Sequence, residues 1–553
     1  MDRHASALPI SVLLSVVLVF GACSDTEDSA TKPDSSSADL TPISPIVPGG
    51  TIPGALPSSV IPSNQTVDGA PLVMEDAYLS GDIAPSAPMP KGDQEEAPTD
   101  NSTFEDYGFN EFVTDVSADR LSTFGLDVDT GSYTVMRAWL NDNRLPDKAG
   151  VRTEEYLNYF NANYPDDFEE AFKVTFEAAP SPFGQGLHML RVGLQARGVK
   201  PSERKRANLV FLVDVSGSMS AANKLPLVQS SLKLLTEVMA EDDRIALVTY
   251  AGHTSVVLPS TSGDKKTEIK AAIDQLSSGG GTSMGSGMAL AYEEAEKGFI
   301  TGGINRVLVC SDGDANIGAT SSEDILSTIE AKVDQGITMT TLGFGMGNYN
   351  DTMMEQLSNK GNGNYFYLDG EAEARRLFGE RLFSTLQAVA KDAKLQVEFD
   401  PGVVKRYRLL GYENRDIADD DFRNDRVDAG EIGAGHSVTA LYEVELVDGG
   451  SGALATARLR YKDLANKETV VEKSFPFQRD QVKTDLSAAS TKFRFLLSVA
   501  EFAEHLRHHL YSEHDLDEIL TLARANADEQ DEREQEFLEL IAKANTLEQG
   551  QQD

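Results

Sequence analysis

Asn208-Leu-Val-Phe-Leu-Val-Asp-Val-Ser-Gly-Ser218, written NLVFLVDVSGS, is the stretch from which the fold is read. Leu209 to Val213 is an unbroken apolar run, which suits a central strand covered on both faces. Asp214 closes the run, and Ser216, Gly217 and Ser218 follow it as turn residues. Pro226 then stands near the start of LPLVQSSLKLLTEVM, a position where a first helical turn accepts proline. Leu225, Val228, Leu232, Leu235 and Met239 recur at helical spacing and give this segment an apolar stripe.

The same alternation continues to about residue 390. RIALVTYA, RVLVCS, ITMTTLGFG and NYFYL read as strands. KKTEIKAAIDQL, MGSGMALAYEEAEKGF, EDILSTIEAKVDQG, TMMEQLSN and EARRLFGERLFSTLQAVA read as helices. Strand and helix in turn predict an α/β fold, a doubly wound and mostly parallel Rossmann-like sheet, over 205–390. After Ala393 the pattern changes to strands alone: KLQVEFD, VKRYRLLGY, SVTALYEVELV, ALATARLRYK and TVVEKSFPF. These predict an antiparallel β-domain over 391–480. FKVTFEAAP and LHMLRVGLQARG alternate with period two in the flank 104–204, so that flank is expected to supply the first strands of the β-domain. The α/β domain is then an insertion in it. Helical segments over 481–546 end the folded part.

An open parallel sheet places ligands beyond the carboxyl ends of its strands. Three segments bring oxygen atoms to that rim: Asp214, Ser216 and Ser218 after the first strand; Thr282, after Gly281, in the loop before a helix; and Asp312, within Ser311-Asp312-Gly313, after the strand ending at Cys310. Two carboxylates and three hydroxyls, with no Cys or His among them, form a hard donor set. It suits Mg²⁺, Mn²⁺ or Ca²⁺ and not zinc or copper. Other groups read more plainly. Asp314 and Asn316 lack the closing Glu of a calcium loop and read as turn residues. Asp127 and Asp129 read as hydrogen-bonding residues of a domain junction. His505, His508 and His509 read as a solvated helix face. Ser283 to Ser286 reads as helix-start chemistry, and GFGMGN (343–348) lacks the Lys and Ser/Thr of a phosphate loop.

The set Asp214-Val-Ser216-Gly-Ser218, Thr282 and Asp312 resembles the metal-ion-dependent adhesion site of von Willebrand factor A (vWA) domains. That resemblance implies that all five residues serve the ion, directly or through water. It also implies an open coordination position that a partner's Asp or Glu fills, with Thr282 distinguishing ligand-ready from resting coordination. The flanks STFGLDVDTGSYTVMRAWLNDNRLP and VRTEEYLNYF, with the strands and helices after Ala393, resemble a bacterial lipoprotein group with a vWA core, the YfbK-like proteins.

The N-terminus fits that resemblance. LPISVLLSVVLVF (8–20) is apolar for roughly 13 residues, short of the about 20 that span a bilayer. Gly21 and Ala22 are small, and Cys23 follows, so 1–23 reads as a lipoprotein signal peptide with Cys23 as the lipidated residue. With Ser24 and not Asp after Cys23, the start resembles lipoproteins sorted to the outer membrane of a two-membrane cell envelope. Residues 24–103, rich in Ser, Pro, Thr and Gly, read as a disordered tether. The second cysteine, Cys310, lies in an apolar strand and is no partner for Cys23.

A formal charge of −39 argues against nucleic-acid binding, which needs a basic footprint. Among function classes, a metal-dependent binding module is expected first, holding a protein or glycan partner through a bridged carboxylate. A structural envelope lipoprotein whose metal stabilises only its own fold is the second reading. Hydrolysis by a metal-activated water is the third, and no enzyme activity is expected. It needs a general base, and His253 is the single histidine near the three segments.

Overall fold

The computed structural model describes the chain from residue 101 to 552, apart from 282–283, 314–321, 348, 428, 467 and 513. The signal peptide, nearly all of the tether, Cys23, Thr282, Asp314 and Asn316 therefore lie outside the described residues.

The folded part opens with β1 (Leu121–Gly125), α1 (Gly131–Asn141), α2 (Thr153–Tyr159), β2 (Phe172–Pro180) and β3 (Leu187–Ala196). The α/β domain follows as β4 (Ala207–Asp214), α3 (Leu225–Val238), β5 (Arg244–Tyr250), β6 (Ser255–Ser262), α4 (Lys266–Asp274), α5 (Met284–Lys297), β7 (Ile304–Ser311), α6 (Ser322–Val333), β8 (Thr338–Phe344), α7 (Asp351–Lys360) and β9 (Tyr365–Leu368). Its sheet has six strands in the order β6-β5-β4-β7-β8-β9. All neighbours are parallel except β5 and β6. Sequence pattern did not announce β6: SVVLPSTS carries Pro259 and sits at the sheet edge, where a missing N–H is tolerated.

β4 shows why the central run must be apolar throughout. Its Leu209, Phe211 and Val213 point into one core with Leu225, Leu232 and Leu235 of α3 and Ile269 of α4. Its Val210 and Leu212 point into the opposite core with Met284 and Met288 of α5 and Ile325 and Ile329 of α6. All eight residues of the strand are buried, and each large apolar side chain removed from water contributes about 1.5–3 kcal/mol.

The segment read as one long helix over 373–390 is broken. A short α8 (Glu371–Ala374) runs into a π-helical stretch, Arg375–Arg381, then α9 (Leu382–Leu386), and the chain is already extended in β10 (Ala388–Phe399). Ala388, Val389 and Ala390 thus belong to the next domain.

That domain is a pair of antiparallel sheets. It adds β11 (Val404–Leu410), β12 (Ile432–Gly433), β13 (Ser437–Leu446), β14 (Ala453–Asp463) and β15 (Thr469–Gln478). One sheet runs β1-β10-β14-β15 with β12 beside β10, and the other β11-β13-β3-β2. β3 pairs with β13 over nine residues and β1 with β10 over five, so strands from both sides of the α/β domain share sheets. Leu190, Val192 and Leu194 of β3 meet Leu395 and Val397 of β10 and Tyr442 and Val444 of β13 in one core. Helices α10 (Thr491–Leu506), α11 (Leu516–Asn526) and α12 (Glu532–Gln552) pack with α1 and α2 in another.

α1 also closes the β9 edge of the α/β domain. Val135 lies in a buried cluster with Tyr349, Met354, Tyr365 and Tyr367, and Gly131 has no room for a Cβ against the Tyr365 ring. Ion pairs fasten the junction. Arg152 binds Asp351 at 2.7 Å, and Arg415 binds Asp127 at 3.2 Å and Asp129 at 3.4 Å. Asp129 Oδ1 also accepts the Tyr365 N–H at 3.0 Å. Of the three histidines read as a solvated face, His508 is exposed, while His505 and His509 are not. α10 ends at Leu506, and His509 is buried between Arg408 (2.9 Å) and Glu504 (3.7 Å). His505 contacts the His514 carbonyl and the Glu548 carboxylate, both at 3.0 Å.

Candidate metal centre

Adjacent parallel strands β4 and β7 end side by side, which sets Asp214 next to Ser311 and brings Asp312 to the same rim. Asp214 is fully buried and Asp312 is 1% exposed. Carboxylates at this depth need partners. Asp214 Oδ1 accepts the backbone N–H of Ser216 at 2.8 Å, and its Oδ2 accepts the Ser311 hydroxyl at 3.3 Å. Burial pushes the Asp214 carboxyl up to about 6, with the nearby negative charge of Asp312 adding to it and the Ser216 hydrogen bonds opposing it.

Ser216 and Ser218 turn their hydroxyls to each other at 2.9 Å. Ser216 is buried, and Ser218 is half-buried at the mouth. The third loop is tied to the first through backbone. Gly279 N–H donates to Val215 O at 2.7 Å and Gly217 N–H to Gly280 O at 3.2 Å. Gly280 has φ +89°, which a residue with a side chain rarely adopts. The chain therefore reaches Gly281, exposed at the rim, directly before Thr282. Gly313, at φ +77°, passes so close to Tyr349 and Asn350 that a Cβ would overlap the Asn350 backbone nitrogen.

Four of the five residues singled out in the sequence, Asp214, Ser216, Ser218 and Asp312, thus stand on two neighbouring loops, and the loop leading to the fifth is hydrogen-bonded to the first of them. Ser311, read in the sequence with Asp312 and Gly313 as one rim segment, bridges the loops, since its Oγ also accepts the Gly313 N–H at 3.1 Å. Sequence reading missed one residue. Lys224, at the start of α3, places its ammonium 2.9 Å from Asp312 Oδ2. Its only signal was a Lys inside an otherwise small and polar loop, SAANK.

The donor set fits a hard divalent ion. A cationic group already stands on one of the two carboxylates, and the remaining oxygens are neutral hydroxyls. Among the described residues no group of three or more His, Cys, Asp or Glu is placed to hold a metal, so the ion would depend on hydroxyl oxygens as well as on Asp214 and Asp312. His253 is exposed just past β5, where its carbonyl accepts the Ala251 N–H at 3.3 Å.

Known families align with three stretches of the chain between residues 98 and 547. The family described as "von Willebrand factor type A domain" matches 208–380, "von Willebrand factor" matches 98–191, and "Uncharacterized protein YfbK, C-terminal" matches 384–547. Uncharacterized protein YfbK of Escherichia coli (strain K12) is 41% identical over 420 residues, covering 71% of this chain and 72% of that protein. Uncharacterized protein sll0103 of Synechocystis is 27% identical over 233 residues, 41% of this chain and 54% of its own length. Among solved structures, a von Willebrand factor type A protein from Catenulispora acidiphila aligns over 66% of this chain and 88% of its own, at 17% identity and a TM-score of 0.39. The ArnB paralog VWA2 from Sulfolobus acidocaldarius aligns over 68% and 98%, at 15% identity and a TM-score of 0.33.

Proposed function

The chain belongs to the YfbK family of von Willebrand factor A proteins, and from that premise we propose that it is a cell-envelope lipoprotein that captures a protein or glycan partner through a divalent metal ion. Asp214, Ser216, Ser218, Thr282 and Asp312 would hold the ion, Mg²⁺ first and Mn²⁺ or Ca²⁺ as alternatives. The bound ion supplies a hard Lewis-acid position that a partner's Asp or Glu carboxylate can occupy. The protein's own part is to fix Asp214 through Ser216 and Ser311, to set the two hydroxyls together, and to leave Ser218 and Gly281 open to solvent. A chain with a formal net charge of −39 repels acidic partners in general, so a bridging cation localises the contact to one point.

The observation that carries this reading is the convergence of two buried carboxylates and two hydroxyls at one sheet rim, with the half-buried Ser218 at its mouth. A second reading draws on the depth of Asp214 and Asp312: the ion stabilises the fold and meets no partner. We propose no catalytic role, and Cys23 is proposed as a lipid anchor, most simply in the outer membrane. Pull-down from envelope extract separates the readings. Capture of one defined partner in Mg²⁺, lost in chelator, supports the binding module. A chelator-induced fall in melting temperature with no metal-dependent partner supports the structural role.

A further inference from the structure

Lys224 is placed where a positive charge is poorly received by everything except one carboxylate. It is the residue preceding α3, and Pro226 stands in the first turn. Backbone N–H groups at a helix start carry partial positive charge, so an ammonium there is opposed by the helix itself. Lys224 is nevertheless only 9% exposed. Its backbone is fixed at both sides: its N–H donates to Ala221 O at 3.0 Å, and its carbonyl accepts Val228 N–H at 2.9 Å.

The space for its side chain is built by a different strand. The loop after β8 runs through Gly345 at φ +72°, and a Cβ there would overlap the Cγ, Cδ and Cε of Lys224. Tyr367 of β9 donates its hydroxyl to the Gly345 carbonyl at 2.7 Å and holds the loop in place. Gly345, in the glycine-rich segment after β8, thus forms one wall of a channel for a lysine stem. The channel ends at Asp312 Oδ2, 2.9 Å from Nζ.

We infer that Lys224 is a tethered cation that holds Asp312 when no metal ion is bound, and that a divalent ion must displace it from that carboxylate. The inference rests on the metal-site reading above. It explains how Asp312 can be buried beside Asp214, since a lone unpaired charge there would be strongly unfavourable. It also sets the ion's affinity, because metal binding is an exchange of one cation for another. Residues 220–223 beside Lys224 are exposed, so the long stem can carry the ammonium outward without moving the helix.

Two measurements on the full chain test this. First, Mg²⁺ and Mn²⁺ are titrated by calorimetry into wild type, Lys224→Met and Lys224→Arg. Losing a charge-assisted hydrogen bond to the ligand carboxylate should tighten Mg²⁺ binding at least about tenfold in Lys224→Met and leave Lys224→Arg near wild type. Without metal the Met variant should melt lower than wild type, and saturating Mg²⁺ should restore it. Second, the rate of reductive methylation of Lys224 in the wild type, followed by mass spectrometry, should be slow in chelator and rise severalfold in saturating Mg²⁺. This needs no variant to fold. If wild type binds Mg²⁺ but Lys224→Met binds equally or more weakly, or Lys224 labelling is unchanged by bound Mg²⁺, the displacement is overturned while the metal site stands. If neither wild type nor variant binds an ion, the metal reading falls and the inference with it.

Discussion

The hydroxyl of Ser311 donates to Oδ2 of Asp214 at 3.3 Å across neighbouring strands, and the same oxygen accepts the Gly313 N–H at 3.1 Å. One small side chain therefore sets the first carboxylate and the backbone that carries the second. Ser311→Ala should keep the fold, because the lost group is small and the strand stays paired. Losing the two hydrogen bonds, worth about 1 kcal/mol each, should weaken Mg²⁺ binding by up to about thirtyfold. Calorimetric titration against wild type checks this.

Asp214→Asn keeps the shape of the side chain and removes its charge. Burial raises the folded-state pKa of Asp214 from the usual 3.8 to about 6. A raised pKa means the folded state binds the proton more tightly, so the stability linked to it is full below about pH 4 and is lost as pH rises through 6. In chelator at pH 7.5 the Asn variant should therefore be at least as stable as wild type, by up to about 1–3 kcal/mol. The difference should shrink toward pH 5. Thermal melts at the two pH values measure it.

Thr282→Ala removes a neutral oxygen and leaves both carboxylates. Ion affinity should fall modestly, and partner capture should fall more. Measuring both on the same samples shows whether the two losses separate.

The lipid anchor is tested at Cys23. Cys23→Ser should leave the protein unlipidated and extractable without detergent, and mass spectrometry of the N-terminal peptide reads the outcome.

The fold was legible wherever one segment carried its own pattern. Leu209 to Val213 needs two covered faces, and β4 has them. The candidate metal residues were legible because loop chemistry stands at strand ends, at Asp214 and Asp312. What stayed hidden depends on contacts distant in sequence. Lys224 meets Asp312 only after β7 is laid beside β4. Arg152 and Arg415 find Asp351, Asp127 and Asp129 only at a junction of three regions. His509 follows α10 in a sequence dense with charge, which reads as solvated, yet Arg408 of β11 and the Phe109 ring, 4.6 Å away between centroids, enclose it. The edge strand β6 was masked by its Pro259, and the break in the helix expected over 373–390 by apolar spacing that a π-helical stretch interrupts.

The central claim is that Asp214 and Asp312 converge on one ion. Its most direct measurement is calorimetric titration of Mg²⁺ into the chelator-treated full chain, with Asp214→Asn and Asp312→Asn titrated beside it. The account predicts saturable one-site binding in wild type and no binding heat in either variant, with all three folded by circular dichroism. The same isotherm in wild type and both variants would place the ion elsewhere, and no binding in wild type would leave the site without a metal.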